Sequence, residues 1–117
     1  MLDEWKGKRV LITGASRGIG AAVAKQLGAL GAHVAVHYHS SEAPAEAVAK
    51  AIRDAGGDAF TLKADVSHTS ETQQLVDEAA ERLGGLDLLI NNAGDMLGRV
   101  GLEEMGDDQY DRVMDLN

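Results

Sequence analysis

Short runs of β-forming residues separated by longer stretches with helical spacing constrain this chain more than any other feature. The runs are residues 9–13 (Arg-Val-Leu-Ile-Thr), 34–38 (Val-Ala-Val-His-Tyr), 59–64 (Ala-Phe-Thr-Leu-Lys-Ala) and 86–90 (Leu-Asp-Leu-Leu-Ile), each of ordinary strand length. Between them, Val23, Leu27 and Leu30 fall at i, i+4 and i+7, and Val48, Ile52 and Ala55 repeat the spacing. Leu75, Val76, Ala79, Ala80 and Leu83 make a fuller stripe, the mark of an amphipathic helix packed on a core. Gly31, Gly56 and Gly84 follow the three stripes, where helix C-terminal caps belong. Ser70 and Gln73 are spaced for a capping box at the start of the third helix. A β-α-β-α-β-α-β order requires parallel strands with right-handed crossovers. With aromatics at 3%, the core must be built from Val, Leu, Ile and Ala, which suits helices laid closely on parallel strands.

The first β-to-α connection is the chemically telling one. Thr13-Gly14-Ala15-Ser16-Arg17-Gly18-Ile19-Gly20 joins the first strand to the first helix. Glycines there permit a tight turn, close backbone approach to a pyrophosphate, and close helix–strand contact. The helix start adds free N–H groups and a partial positive charge, both suited to phosphates. An ordinary glycine-rich turn is the bland alternative, but the strand-before, helix-after context is the one a dinucleotide site requires. A P-loop is excluded, because the fifth residue after Gly14 is Ile19 rather than the second glycine.

Composition narrows the function classes. The 117 residues suffice for one domain and not two. Eleven Lys and Arg against 19 Asp and Glu leave a net charge of −8, which argues against a nucleic-acid partner. The chain has no cysteine, so disulfides, thiolate metal sites and a cysteine nucleophile are excluded. No apolar run approaches the roughly 18 residues of a membrane span, and the charged start, Met1 to Lys6, has no signal-peptide core. A soluble, cytoplasmic protein without membrane or nucleic-acid partners is the expectation.

Three motifs together resemble the short-chain dehydrogenase/reductase family: Thr-Gly-x-x-x-Gly-x-Gly after the first strand, Asp65-Val66 after the third, and Asn91-Asn92-Ala93-Gly94 after the fourth. The similarity runs from about Lys6 to Asn117, and the glycine turn with residues 37–42 looks most like the 3-oxoacyl-carrier-protein reductases and related ketoreductases. The resemblance implies a Rossmann-type three-layer α/β/α fold with sheet order 3-2-1-4 in the part present. It implies that Gly14, Ser16, Gly18, Ile19 and Gly20 line the pyrophosphate and ribose. Asp65 would meet the adenine amino group and Val66 would add a backbone contact. Asn91, Ala93 and Gly94 would lie along the ribose, with Asn92 tying the central strands together.

Charge at the second strand's end bears on the cofactor. An NAD site places an acid about 20 residues past the glycine turn, whereas residues 37–41 read His-Tyr-His-Ser-Ser. Arg17 sits in the turn, where it can pair with a 2′-phosphate, and Ser40 and Ser41 can donate to the same group. NADP(H) is therefore the expected cofactor, with NAD(H) the alternative. His33, His37 and His39 alternate on one strand face, bordering the adenine end of the cleft; a metal needs a fuller ligand set, and none is expected.

After residues 92–106, read as a long loop, Tyr110, Val113, Met114 and Asn117 fall at i, i+3, i+4 and i+7, which predicts a helix over 107–117. Residues 103–117 hold six acids and one base, a net of −5 that disfavours self-pairing there. By resemblance Asn117 is the catalytic asparagine that supports a lysine through water. The family's Tyr-x-x-x-Lys is absent, since Tyr38 and Tyr110 are followed four residues later by Glu42 and Met114. The chain thus reads as the dinucleotide-binding half, residues 1–117, of one domain cut within that helix, inactive alone, with the fourth strand as an exposed edge. The whole enzyme would move hydride between nicotinamide and a small carbonyl or secondary alcohol, as a homo-oligomer. A non-catalytic dinucleotide-binding module or an assembly fragment are the alternatives. A methyltransferase fold would leave Asn91-Asn92-Ala93-Gly94 unexplained.

Overall fold

Residues 2–92 and 112–115 are described in the computed structural model. After a single 3-10 turn at Leu2–Trp5, the chain forms β1 (Arg9–Ile12), α1 (Gly18–Ala29), β2 (His33–Tyr38), α2 (Glu42–Asp54), β3 (Asp58–Lys63), α3 (Thr69–Leu83), β4 (Leu88–Asn91) and β5 (Arg112–Asp115). The strands make one parallel sheet in the order β3-β2-β1-β4-β5. The expected 3-2-1-4 order and the α/β/α layering hold.

Side-chain alternation explains the layers. Val10, Ile12, Val34, Val36 and Tyr38 point to one face, where they meet Ala21, Ala24 and Leu27 of α1 and Val48, Ala49 and Ile52 of α2. Leu11, Ala35 and Leu62 point to the other, under Leu75, Val76, Ala79 and Ala80 of α3. β1 and β2 are covered on both faces, so residues 10–12 and 34–36 read as unbroken apolar runs. β3 ends the sheet on one side and is less buried, with Ala59 packed in one layer and Leu62 in the other.

Three expectations need correction. Residues 112–115 are a strand, not part of a helix, and pair parallel to β4 from Leu88↔Arg112 to Asn91↔Asp115. An apolar i, i+3, i+4 pattern over so short a window does not separate helix from strand, and β4 offers a row of backbone groups that a strand satisfies. For the same reason β4 is not the edge of the sheet. The capping box at α3 does not form either. The cap position is His68 and makes no side-chain cap bond, while Gln73 Nε2 turns to Asp77 Oδ1 at 2.9 Å. Thr72 Oγ1 instead donates to the Val66 and His68 carbonyls and closes the helix start.

The floor of the central strands is pinned by charge. Arg9 Nε and Nη2 donate to Asp87 Oδ2 and Oδ1 at 2.9 and 2.8 Å, and Arg9 Nη1 donates to the Gly84 carbonyl. The Arg9 guanidinium holds the Asp87 carboxyl down at about 2. Among the described residues, no helix is long and apolar enough to cross a membrane.

Candidate functional site

The site lies at the C-terminal ends of the strands, where an open α/β sheet presents its ligand crevice. Its centre is the glycine turn. Thr13 N–H donates to the Ile90 carbonyl, so the turn leaves β1 while still bonded to β4. Thr13 Oγ1 donates to Asn91 Oδ1 and accepts from the Asn92 amide, and Asn92 Nδ2 donates to the Gly14 carbonyl at 2.9 Å.

From the other side, one residue of β2 holds two consecutive amides. Gly14 N–H donates to His37 Nδ1 at 2.9 Å, and Ala15 N–H donates to the His37 carbonyl at 3.0 Å. Because Nδ1 accepts, the ring proton belongs on Nε2, which donates to the Ala64 carbonyl at 2.8 Å. His37 is 2% exposed, and burial holds its pKa below the ordinary imidazole value, in keeping with a neutral ring.

The start of α1 is shaped for close approach. Gly18 has φ +58°, a conformation that side chains other than glycine's resist, and the space beside it is open. At Gly20 a Cβ would lie 2.5 Å from Asn92 Nδ2 and 2.6 Å from the Gly14 carbonyl, so only glycine lets α1 meet the strand ends. The cap residue Arg17 makes no side-chain cap bond. The first-turn amides of a twelve-residue helix are thus left to an outside acceptor. Ile19 stands 63% exposed beside them. This turn fits a pyrophosphate.

Arg17 also borders an open cleft of about 480 Å³ between the starts of α1 and α2, shared with Ser16, Lys25, Pro44 and Val48. His39 and Ser40 are exposed and Ser41 half-buried, with Ser41 at the cap position of α2. The first acid after β2 is Glu42, already in that helix.

At the end of β3, Asp65 Oδ1 accepts from the Ser67 amide and hydroxyl at 3.0 and 2.6 Å. The Ser67 hydroxyl first, then its amide, holds the Asp65 carboxyl below its ordinary value. Oδ2 remains outward, 3.5 Å from His68 Nε2 and 3.7 Å from His39 Nε2. The Asp65 amide donates to Glu71 Oε1. Asp65, His68 and Glu71 offer ligand atoms within 4.8 Å of one another, but one oxygen of each carboxylate already holds an amide. The Val66 carbonyl accepts from Thr72 Oγ1.

The structure therefore gathers Gly14, Ser16, Arg17, Gly18, Ile19, Gly20, His39, Ser40, Ser41, Asp65 and Val66 at the strand ends. Asn91 is 1% exposed and its side chain is committed to Thr13, so it supports the turn from within. Ala93, Gly94 and Asn117 lie outside the described residues. Sequence reasoning missed the part His37 plays. A histidine flanked by Tyr38 inside a buried strand was the available signal, since a buried ring needs partners for both nitrogens.

Comparison with known proteins agrees with this geometry. An uncharacterised oxidoreductase of Methylorubrum extorquens is 44% identical over 116 residues, 99% of this chain and 46% of that protein. The chain thus spans about half the length of the curated relatives it matches. A short-chain dehydrogenase of Burkholderia cenocepacia, solved in complex with NADP, is 49% identical with a TM-score of 0.74 over 77% of this chain and 37% of that one. An NADH-dependent reductase solved with NAD is 45% identical with a TM-score of 0.75 over 80% of this chain and 39% of that one. The sequence profile described as short chain dehydrogenase matches residues 8–117. Turn, strand order and profile agree, and the chain belongs to the short-chain dehydrogenase family.

Proposed function

We propose that this chain is the dinucleotide-binding half of an NADP(H)-dependent oxidoreductase acting on a carbonyl or secondary alcohol. Relatives of similar identity are solved with NADP and with NAD, so likeness does not choose between them. The observation that carries the choice is local charge: Arg17 at the start of α1 faces the cleft toward α2, and no acid stands between β2 and Glu42. Arg17 with Ser40, Ser41 and His39 would receive a 2′-phosphate. Gly14, Ser16, Gly18, Ile19 and Gly20 would take the pyrophosphate and ribose, Asp65 Oδ2 and the Val66 N–H the adenine. Ala93 and Gly94 would continue along the ribose, with the Asn91 backbone beside them. The nicotinamide, when bound, would supply or accept the hydride.

Asn117 would act toward a lysine through water, and a Tyr-x-x-x-Lys would come from chain beyond this half, a reading supported by the 46% of the relative's length matched here. Activity, a small-molecule substrate and homo-oligomeric assembly belong to that whole protein. In this reading the whole protein works in the cytoplasm.

The test is titration of the native full-length protein with NADPH and NADH, followed by nicotinamide fluorescence. NADPH should bind more tightly, and Arg17→Ala should weaken NADPH by about tenfold while leaving NADH nearly unchanged. Equal affinity for the two cofactors overturns the NADP assignment. Absence of binding by folded protein overturns the dinucleotide reading and leaves an assembly role.

A further inference from the structure

We propose that His37 is the positioning residue that sets the glycine turn for phosphate binding: its Nδ1 accepts from the Gly14 amide, in the tautomer that the Nε2–H bond to the Ala64 carbonyl selects. The proposal rests on the dinucleotide reading above and names a residue that never touches the cofactor. Its position belongs to the β2 face that carries Ala35 into the apolar layer under α3. A polar ring there is costly unless both nitrogens are satisfied. Both are, and each partner has a place in the site: Gly14 opens the turn, and Ala64 precedes Asp65. The Gly14 bond is the one that sets the turn, and the Ala64 bond satisfies the other nitrogen and fixes the tautomer.

Only the neutral Nε2–H form can do this. A proton on Nδ1 would set a donor against the Gly14 N–H donor, and the turn would have to move. The nearby titratable groups lie beyond the ring's own contacts: His39 follows just after β2, Asp65 follows Ala64, and His68 and Glu71 gather on Asp65 from the start of α3. The β1 and β4 side contributes the neutral Thr13, Asn91 and Asn92.

Two substitutions separate the ring's contacts. Asn places an acceptor where Nδ1 stands, whereas Gln reaches toward the Nε2 position. In the native full-length protein, His37→Asn should keep NADPH affinity within about twofold, and His37→Gln should lose about fivefold or more. Thermal melting checks that both variants fold. On acidification, wild-type affinity should fall more steeply than that of His37→Asn once the ring takes up a proton, which burial delays to below the ordinary imidazole range; His37→Asn retains every other titratable group. Amide hydrogen exchange at Gly14 gives a readout without cofactor: protected in wild type and His37→Asn, exposed in His37→Gln. Equal losses in the two variants, or unchanged Gly14 exchange in His37→Gln, overturn the role of His37. If wild type binds neither NADPH nor NADH, the dinucleotide reading fails, and Gly14 exchange still decides whether His37 sets the turn.

Discussion

Gly20 shows how little room the turn leaves. A methyl group there would press on both the Asn92 amide and the Gly14 carbonyl, which bond to each other. Gly20→Ala should lower stability by about 1–3 kcal/mol, as overpacking does, and weaken NADPH binding as well. Chemical denaturation and cofactor titration would check the two effects separately. The need for glycine at this position was visible in the sequence, because spacing alone marks where a helix must approach a strand end. His37 was not. Its alternation with His33 and His39 describes a face, but the face splits in the fold: His33 pairs with Asp58 at the surface, while His37 turns inward. Its partners lie 23 and 27 residues away, a separation that no local pattern encodes. For Asn91 the position beside the turn was legible and the direction of its side chain, inward to Thr13, was not.

Among the elements, β1 and β4 depend on the ion pair at their entrances. Asp87 is held at about 2 by Arg9, against an ordinary value of 3.8. Its stabilisation is therefore full above the ordinary value and is lost as the pH falls through about 2. Asp87→Asn should cost about 2 kcal/mol at neutral pH and flatten the acid limb of the stability curve over that window. Denaturant midpoints at neutral pH and across the acid range would show both. The core elements were legible because buried parallel strands and amphipathic helices have distinct periods. Strand ends differed by a residue or two, as at Leu88–Asn91, where Leu86 and Asp87 belong to the approach. β5 was not legible. Four residues carry too little periodicity, and what makes them a strand is the neighbouring row of β4 backbone groups.

For the whole molecule, binding and turnover should part company. The 117-residue chain has no Tyr-x-x-x-Lys. It should therefore consume no NADPH with carbonyl substrates, while the native full-length protein does, as followed by nicotinamide absorbance. Turnover by the 117-residue chain would place the proton donor within it and overturn the two-part reading.

Arg9 and Asp87 stand at one end of β1, and the glycine turn stands at the other. About four residues of strand put some 13 Å between them, beyond the range at which substitutions commonly interfere. The two ends can thus be altered independently. A stronger clasp at the strand entrances would raise the tolerance of the binding end for substitutions that retune cofactor choice, giving an evolving lineage, or an engineer, a reserve to draw on.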